Sequence, residues 1–138
     1  MSDSAERQVR RGSALITDVV NFRGLQPRSL LDTAEALDDL YSTIANAVIS
    51  HQGEVVKWLG DGALACFWGV SHALDAVQAA LDLQTEFRNF CARQGYEQSG
   101  LTIAIATGEM LAGLFGTGTA RHYDVIGEAI ACTATTMP

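Results

Sequence analysis

Two aspartates stand where their carboxylates can do chemistry together. Asp18 closes a short, apolar, β-branched run from Ser13 to Val20, and Asp61 occupies the middle of Gly60-Asp61-Gly62. Two carboxylates converging on one point make an oxygen-rich site suited to magnesium or manganese. Two such metals can clamp a triphosphate and activate a hydroxyl for in-line attack on phosphorus. Taken singly, each feature is ordinary. Gly-Asp-Gly is a common hairpin turn because its residues tolerate positive φ, and an Asp at a strand end is unremarkable. The chemistry requires a fold that brings the two together.

The elements that must do so are readable from spacing. Ser13 to Val20 predicts a buried strand, and Asn21 to Pro27 a loop. Leu30, Leu31, Ala34, Leu37, Tyr41, Ile44 and Val48 recur at helical spacing and predict an amphipathic helix, stopped by His51-Gln52-Gly53. Glu54 to Leu59 and Ala63 to Trp68 predict a hairpin about Gly60-Asp61-Gly62. Ser71 reads as the N-cap of a second helix, with Asp75 favouring its dipole. Leu74, Val77, Ala80, Leu81, Gln84, Phe87 and Cys91 form that helix's apolar stripe, and Gly95 ends it. Leu101 to Thr107 predicts a strand, Gly108 a turn, Met110 to Phe115 another strand and Tyr123 to Ile126 a short one. Gly127 opens a last helical segment.

The order β-α-β-β-α-β-β-(β)-α predicts an α+β fold. Its core is ferredoxin-like, β-α-β-β-α-β, an antiparallel sheet with helices on one face. In such a sheet the first strand lies beside the pair that follows the first helix. The end of strand one therefore faces the hairpin tip, and Asp18 meets Asp61.

Composition narrows the class. The chain has 138 residues, 48% hydrophobic and 18% charged, enough for one domain with a real core. Nine basic against sixteen acidic residues give a net charge of -7, which argues against a nucleic-acid surface. Any phosphate ligand must then be met by cations. Cys66, Cys91 and Cys132 have no CxxC spacing, and two lie in apolar runs, so buried free thiols and a reducing, cytoplasmic setting are expected. Residues 1–12 read as a polar lead-in and 13–138 as the domain. No run suggests direct membrane insertion.

Three segments carry a family resemblance. They are Ile16-Thr17-Asp18-Val19-Val20-Asn21-Phe22, Gly53-Glu54-Val55-Val56-Lys57-Trp58-Leu59-Gly60-Asp61-Gly62 and Tyr123-Asp124-Val125-Ile126-Gly127. Ile105-Ala106-Thr107-Gly108-Glu109 and Ala112-Gly113 add to them. In this order they resemble the class III adenylate and guanylate cyclases from about Ser13 onward. The resemblance implies Asp18 and Asp61 as ligands of two Mg2+ or Mn2+ ions per site, with the Val19 carbonyl completing one metal shell. It implies backbone amides around Asn21 and Phe22 as a phosphate cradle. Lys57 and Asp124 match the pair that reads the purine, a donor and an acceptor that complement adenine, so ATP is the expected substrate. The family's site lies at a dimer interface, so a homodimer, or a heterodimer with a complementary cyclase domain, is the expected assembly.

The last helix departs from the pattern. The family has Asn four residues after the glycine matching Gly127 and Arg eight after it. Ala131 and Thr135 stand there instead. The Asn orients the ribose and the Arg stabilises transition-state charge, and neither replacement can do so. Family domains also continue with further strands that this chain lacks. Three expectations follow: a cyclase domain making cyclic AMP and pyrophosphate in cyclic-nucleotide signalling; a degenerate domain, either the metal-bearing half of a heterodimer or a silent ATP-binding module; or a purely structural ferredoxin-like domain. The set Asp18, Asp61, Lys57 and Asp124 argues against the last. Leu59-Gly60-Asp61-Gly62-Ala63 does not fit a diguanylate cyclase turn, and no GxxxxGK[ST] loop occurs.

Overall fold

The apolar run around Leu15 is the middle of a longer strand. In the computed structural model, which describes residues 7–21, 29–96 and 98–137, β1 spans Gln8–Val20 and begins ahead of the expected Ser13. It is followed by α1 (Leu30–Ser50), β2 (Gly53–Leu59), β3 (Gly62–Trp68), α2 (His72–Gln94), β4 (Gly100–Phe115), β5 (His122–Ile126) and α3 (Glu128–Thr136). The strands form one antiparallel sheet in the order β2-β3-β1-β4-β5. Its first four strands are the ferredoxin-like core, and β5 adds to the free edge of β4.

The expected turn at Gly108 does not exist. β4 runs straight through it, because β1 is long enough to pair with β4 from Gln8↔Ala112 to Val20↔Gly100. Gly108 faces Gly12 in that ladder, and a β-carbon on it would lie 3.6 Å from the Ala129 side chain. The glycine thus marks where α3 approaches the sheet.

Strand alternation divides the core in two. Leu15, Val19, Ala63, Ala65 and Phe67 face α1 and α2. Ala14, Ile16, Leu64, Cys66 and Met110 face the other way and pack against Ala129 of α3. The two core helices share one face, as expected, and the third helix covers part of the opposite one.

Both helices bury the later part of the expected stripe, Ile44 and Val48 on α1 and Phe87 and Cys91 on α2, but turn its first residues outward. α1 buries Ala36, Leu40, Ile44, Ala47 and Val48, while Leu30 and Leu31 are exposed. α2 buries Ala76, Ala79, Leu83, Phe87 and Phe90, and leaves Leu74, Val77 and Leu81 in solvent. Two stripes compete on α2. The winning one shares Phe87 with the expected stripe and adds Phe90, whose ring centroid lies 5.6 Å from that of Phe87, with Tyr96 at the edge of Phe90. Rings bury more apolar area than Leu or Val, and the small Ala76 and Ala79 let the helix lie close. Ser29 caps α1 by accepting from the Asp32 N–H at 3.0 Å. Ser71 precedes α2 but makes no such side-chain bond. Among the described residues, no helix is long and apolar enough to cross a membrane.

Candidate functional site

The hairpin tip is pressed against the end of β1. Gly60 takes a left-handed φ of 66°, and the Ala63 N–H donates to Thr17 Oγ1 at 3.0 Å. On the other side, the Tyr41 hydroxyl of α1 donates to the Gly60 carbonyl. The Tyr41 ring stacks on Trp58 with centroids 4.0 Å apart. The turn is thus held from both faces.

This seating sets the Asp61 carboxyl beside that of Asp18. Burial, then the hydrogen bond and charge of Asp18, push the Asp61 carboxyl above its ordinary value. The nearby backbone N–H groups of Val19 and Asp61 pull the other way. The Val19 side chain is buried among the core residues facing α1 and α2. Two carboxyls crowded together in a half-buried place favour a divalent cation between them, because its charge offsets their repulsion. Among the described residues, no cluster of three or more His, Cys, Asp or Glu side chains is gathered for a metal. Two carboxylates suit a nucleotide-linked ion, because magnesium is commonly held by one or two carboxylates with substrate phosphates completing its shell. The donor set therefore fits.

Asn21 follows β1 with a left-handed φ of 64°. Its Nδ2 donates to the Gln98 carbonyl at 3.4 Å, and its carbonyl accepts from Ser99 Oγ at 3.3 Å. The rest of the expected phosphate cradle would follow it in the chain. Phe22 lies outside the described residues.

Lys57 owes its direction to a β-bulge. Glu54 pairs with Cys66 and Val55 with Ala65, but the register then slips, and Lys57 pairs with Leu64. Strict alternation would put Lys57 on the Val55 side, toward α1 and α2. The extra residue, Val56, returns it to the face of Leu64 and Ile16, the face that also carries Asp18. There Lys57 Nζ lies 3.2 Å from Asp124 Oδ2. Asp124 Oδ1 accepts from the Val125 N–H at 2.8 Å, which fixes the carboxylate. Beside this pair the Tyr123 hydroxyl donates to Glu54. Burial, then the Glu54 carboxylate, raise the Tyr123 pKa further above neutrality.

Sequence reasoning missed Tyr41, Glu54 and Tyr123. Tyr41 reads as one more apolar residue of a helix, and the other two meet only across the curl of the sheet. Ala131 and Thr135 are exposed on α3. The Thr135 hydroxyl is satisfied by its own helix, donating to the Cys132 carbonyl at 3.0 Å.

Known proteins share this fold. A guanylyl cyclase structure superposes with a TM-score of 0.85 at 22% identity, over 94% of this chain and 70% of that one. A bacterial light-regulated adenylyl cyclase gives 0.85 at 18%, over 95% and 40%. A class III adenylyl cyclase-like ATP-binding protein from Pseudomonas aeruginosa gives 0.81 at 18%, over 98% and 33%. These likenesses show the fold. An uncharacterized protein of Mycobacterium tuberculosis is 29% identical over 126 residues, 88% of this chain. The chain spans 23% of the length of that curated relative, and the same share of its counterpart in Mycobacterium bovis. The family model for the adenylate and guanylate cyclase catalytic domain matches residues 6–137, and the chain belongs to that family.

Proposed function

We propose that this chain binds ATP with divalent cations and forms 3′,5′-cyclic AMP and pyrophosphate at an interface with a second cyclase domain. The observation that supports this best is the placement of Asp18 and Lys57 on one face of the sheet, each beside its expected partner, Asp61 and Asp124. Asp18, Asp61 and the Val19 carbonyl would hold the metal. A divalent ion there supplies charge neutralisation for the triphosphate and acidity for the ribose 3′-hydroxyl. The 3′-oxygen bonds to the α-phosphorus as its proton passes to solvent water, and the bond from that phosphorus to the bridging oxygen breaks to release pyrophosphate. Backbone N–H groups after Val20 cradle phosphate oxygens. Lys57 donates to the adenine ring nitrogen and Asp124 accepts from its amino group. Guanine offers the opposite pattern along that edge, an acceptor oxygen and a ring N–H, so ATP is favoured over GTP. The setting is cytoplasmic, where ATP and reduced thiols coexist.

A second reading rests on α3. Ala131 and Thr135 bring neither a ribose-orienting amide nor a cation, and loss of one such electrostatic group costs roughly 10²–10³ in rate. A chain with this helix serves either as the metal-bearing half of a heterodimer or as an ATP-binding module without turnover. Assay of the purified chain with ATP and manganese, against Asp18→Ala, separates the readings. Metal-dependent cyclic AMP that vanishes in the variant supports a working homodimer. ATP bound without product supports the half-site or silent module. Neither binding nor product would sink both.

A further inference from the structure

Lys57 lies on β2 and Asp124 on β5, the two outermost strands of the sheet. The backbones of these strands do not pair. The distance between the two side chains is therefore set by the accumulated curl of five strands and by whatever bridges the gap. Among the described residues, two side-chain bridges cross it: the Lys57–Asp124 ion pair and the bond from the Tyr123 hydroxyl to Glu54. The ion pair must open or re-aim when a purine takes its place. The Tyr123–Glu54 bridge has no such duty. Tyr123 adjoins Asp124 in sequence, and Glu54 precedes the bulge that aims Lys57.

We propose that Glu54 and Tyr123 form a positioning strap that holds the edges of β2 and β5 at the spacing where Lys57 and Asp124 read a purine, and so set purine selectivity through them. The inference rests on the purine-reading role proposed above. A misplacement of about 1 Å in a recognition pair costs up to roughly 10²-fold, and an unstrapped sheet edge has that freedom. The phenol stays protonated across neutral pH, since burial and the Glu54 carboxylate both favour its neutral form. Arg10, whose guanidinium lies 4.2 Å from the Trp68 ring centroid, opposes this only in part.

The test compares Tyr123→Phe, Glu54→Ala and Glu54→Gln with the wild-type chain, using fluorescent ATP and GTP analogues with manganese. Tyr123→Phe and Glu54→Ala are expected to shrink the ratio of ATP to GTP affinity by about three- to tenfold, the worth of one hydrogen bond. Manganese binding should be unchanged. Glu54→Gln keeps an accepting oxygen and should keep the ratio. An unchanged ratio in Tyr123→Phe, or an equal loss for both nucleotides, overturns the strap. Hydrogen exchange gives a readout independent of nucleotide. Tyr123→Phe should speed amide exchange over residues 123–126 by a similar factor and leave the Asp61 turn alone, and unchanged exchange overturns the strap. A wild-type chain that binds both purines equally sinks the purine-reading role instead, and the strap is then judged on exchange.

Discussion

Gly62 lies so close to Thr17 that a β-carbon on it would sit 2.0 Å from the Thr17 carbonyl oxygen. No side chain fits there, and this contact seats the hairpin tip at the end of β1. Gly62→Ala must push the two strands apart and is expected to lower stability by about 2–3 kcal/mol, read from urea unfolding. Gly60→Ala meets no atom within 4 Å but must hold a φ of 66°, and should cost only about 1 kcal/mol. Equal stability of Gly62→Ala and wild type would mean that the hairpin is not tightly seated.

The Asp61 carboxyl is held above its ordinary value, so the folded chain takes up this proton more readily than the unfolded one. Without metal, its contribution to stability is greatest below the ordinary aspartate range and is lost as pH rises through the raised value. Asp61→Asn removes the repulsion. Its Tm at pH 7 without metal should rise by about 1–3 °C, a gain that disappears in acid. Manganese should stabilise the wild type and not the variant. A variant that melts lower at pH 7, or that gains equally from manganese, would contradict the account.

Ala131 and Thr135 are exposed, so Asn and Arg can be placed there with little effect on folding, within about 0.5 kcal/mol each. If the chain dimerises with itself and lacks only these groups, the double substitution should raise cyclic AMP formation about 10²-fold or more. No gain in a folded, ATP-binding variant would assign the missing groups to another domain.

The three cysteines should separate cleanly in a thiol-labelling time course. Cys66 is fully buried, and burial, then the charges of Glu54 and Asp124, push its thiol up to about 12. Cys91 is buried and raised by burial alone, whereas Cys132 is exposed. One thiol should react quickly in the native chain and the other two only on unfolding, because the thiolate is the reactive form. Fast labelling of Cys66 would show that the sheet face it occupies opens readily.

Asp18 and Asp61 could be placed together from the residues alone, since a β-branched run, a Gly-Asp-Gly turn and the order of elements are local signals that leave one antiparallel arrangement. The direction of Lys57 was not legible. Alternation from Glu54 to Leu59 puts it on the core side, and only the bulge at Val56, forced by pairing with β3, turns it toward Asp124. Gly108 looked like a turn because its extended partner, Gln8 to Gly12, carries no apolar signal of its own.

The chain's own pattern determined the family, the element order and the two aspartates that meet, because each depends on neighbours a few residues apart. Tertiary structure alone decided which stripe of α2 is buried, which face Lys57 takes, and that Tyr123 reaches Glu54 across the sheet. In each of those cases the outcome depends on comparing burial and pairing energies between segments distant in sequence, and no local spacing records that comparison.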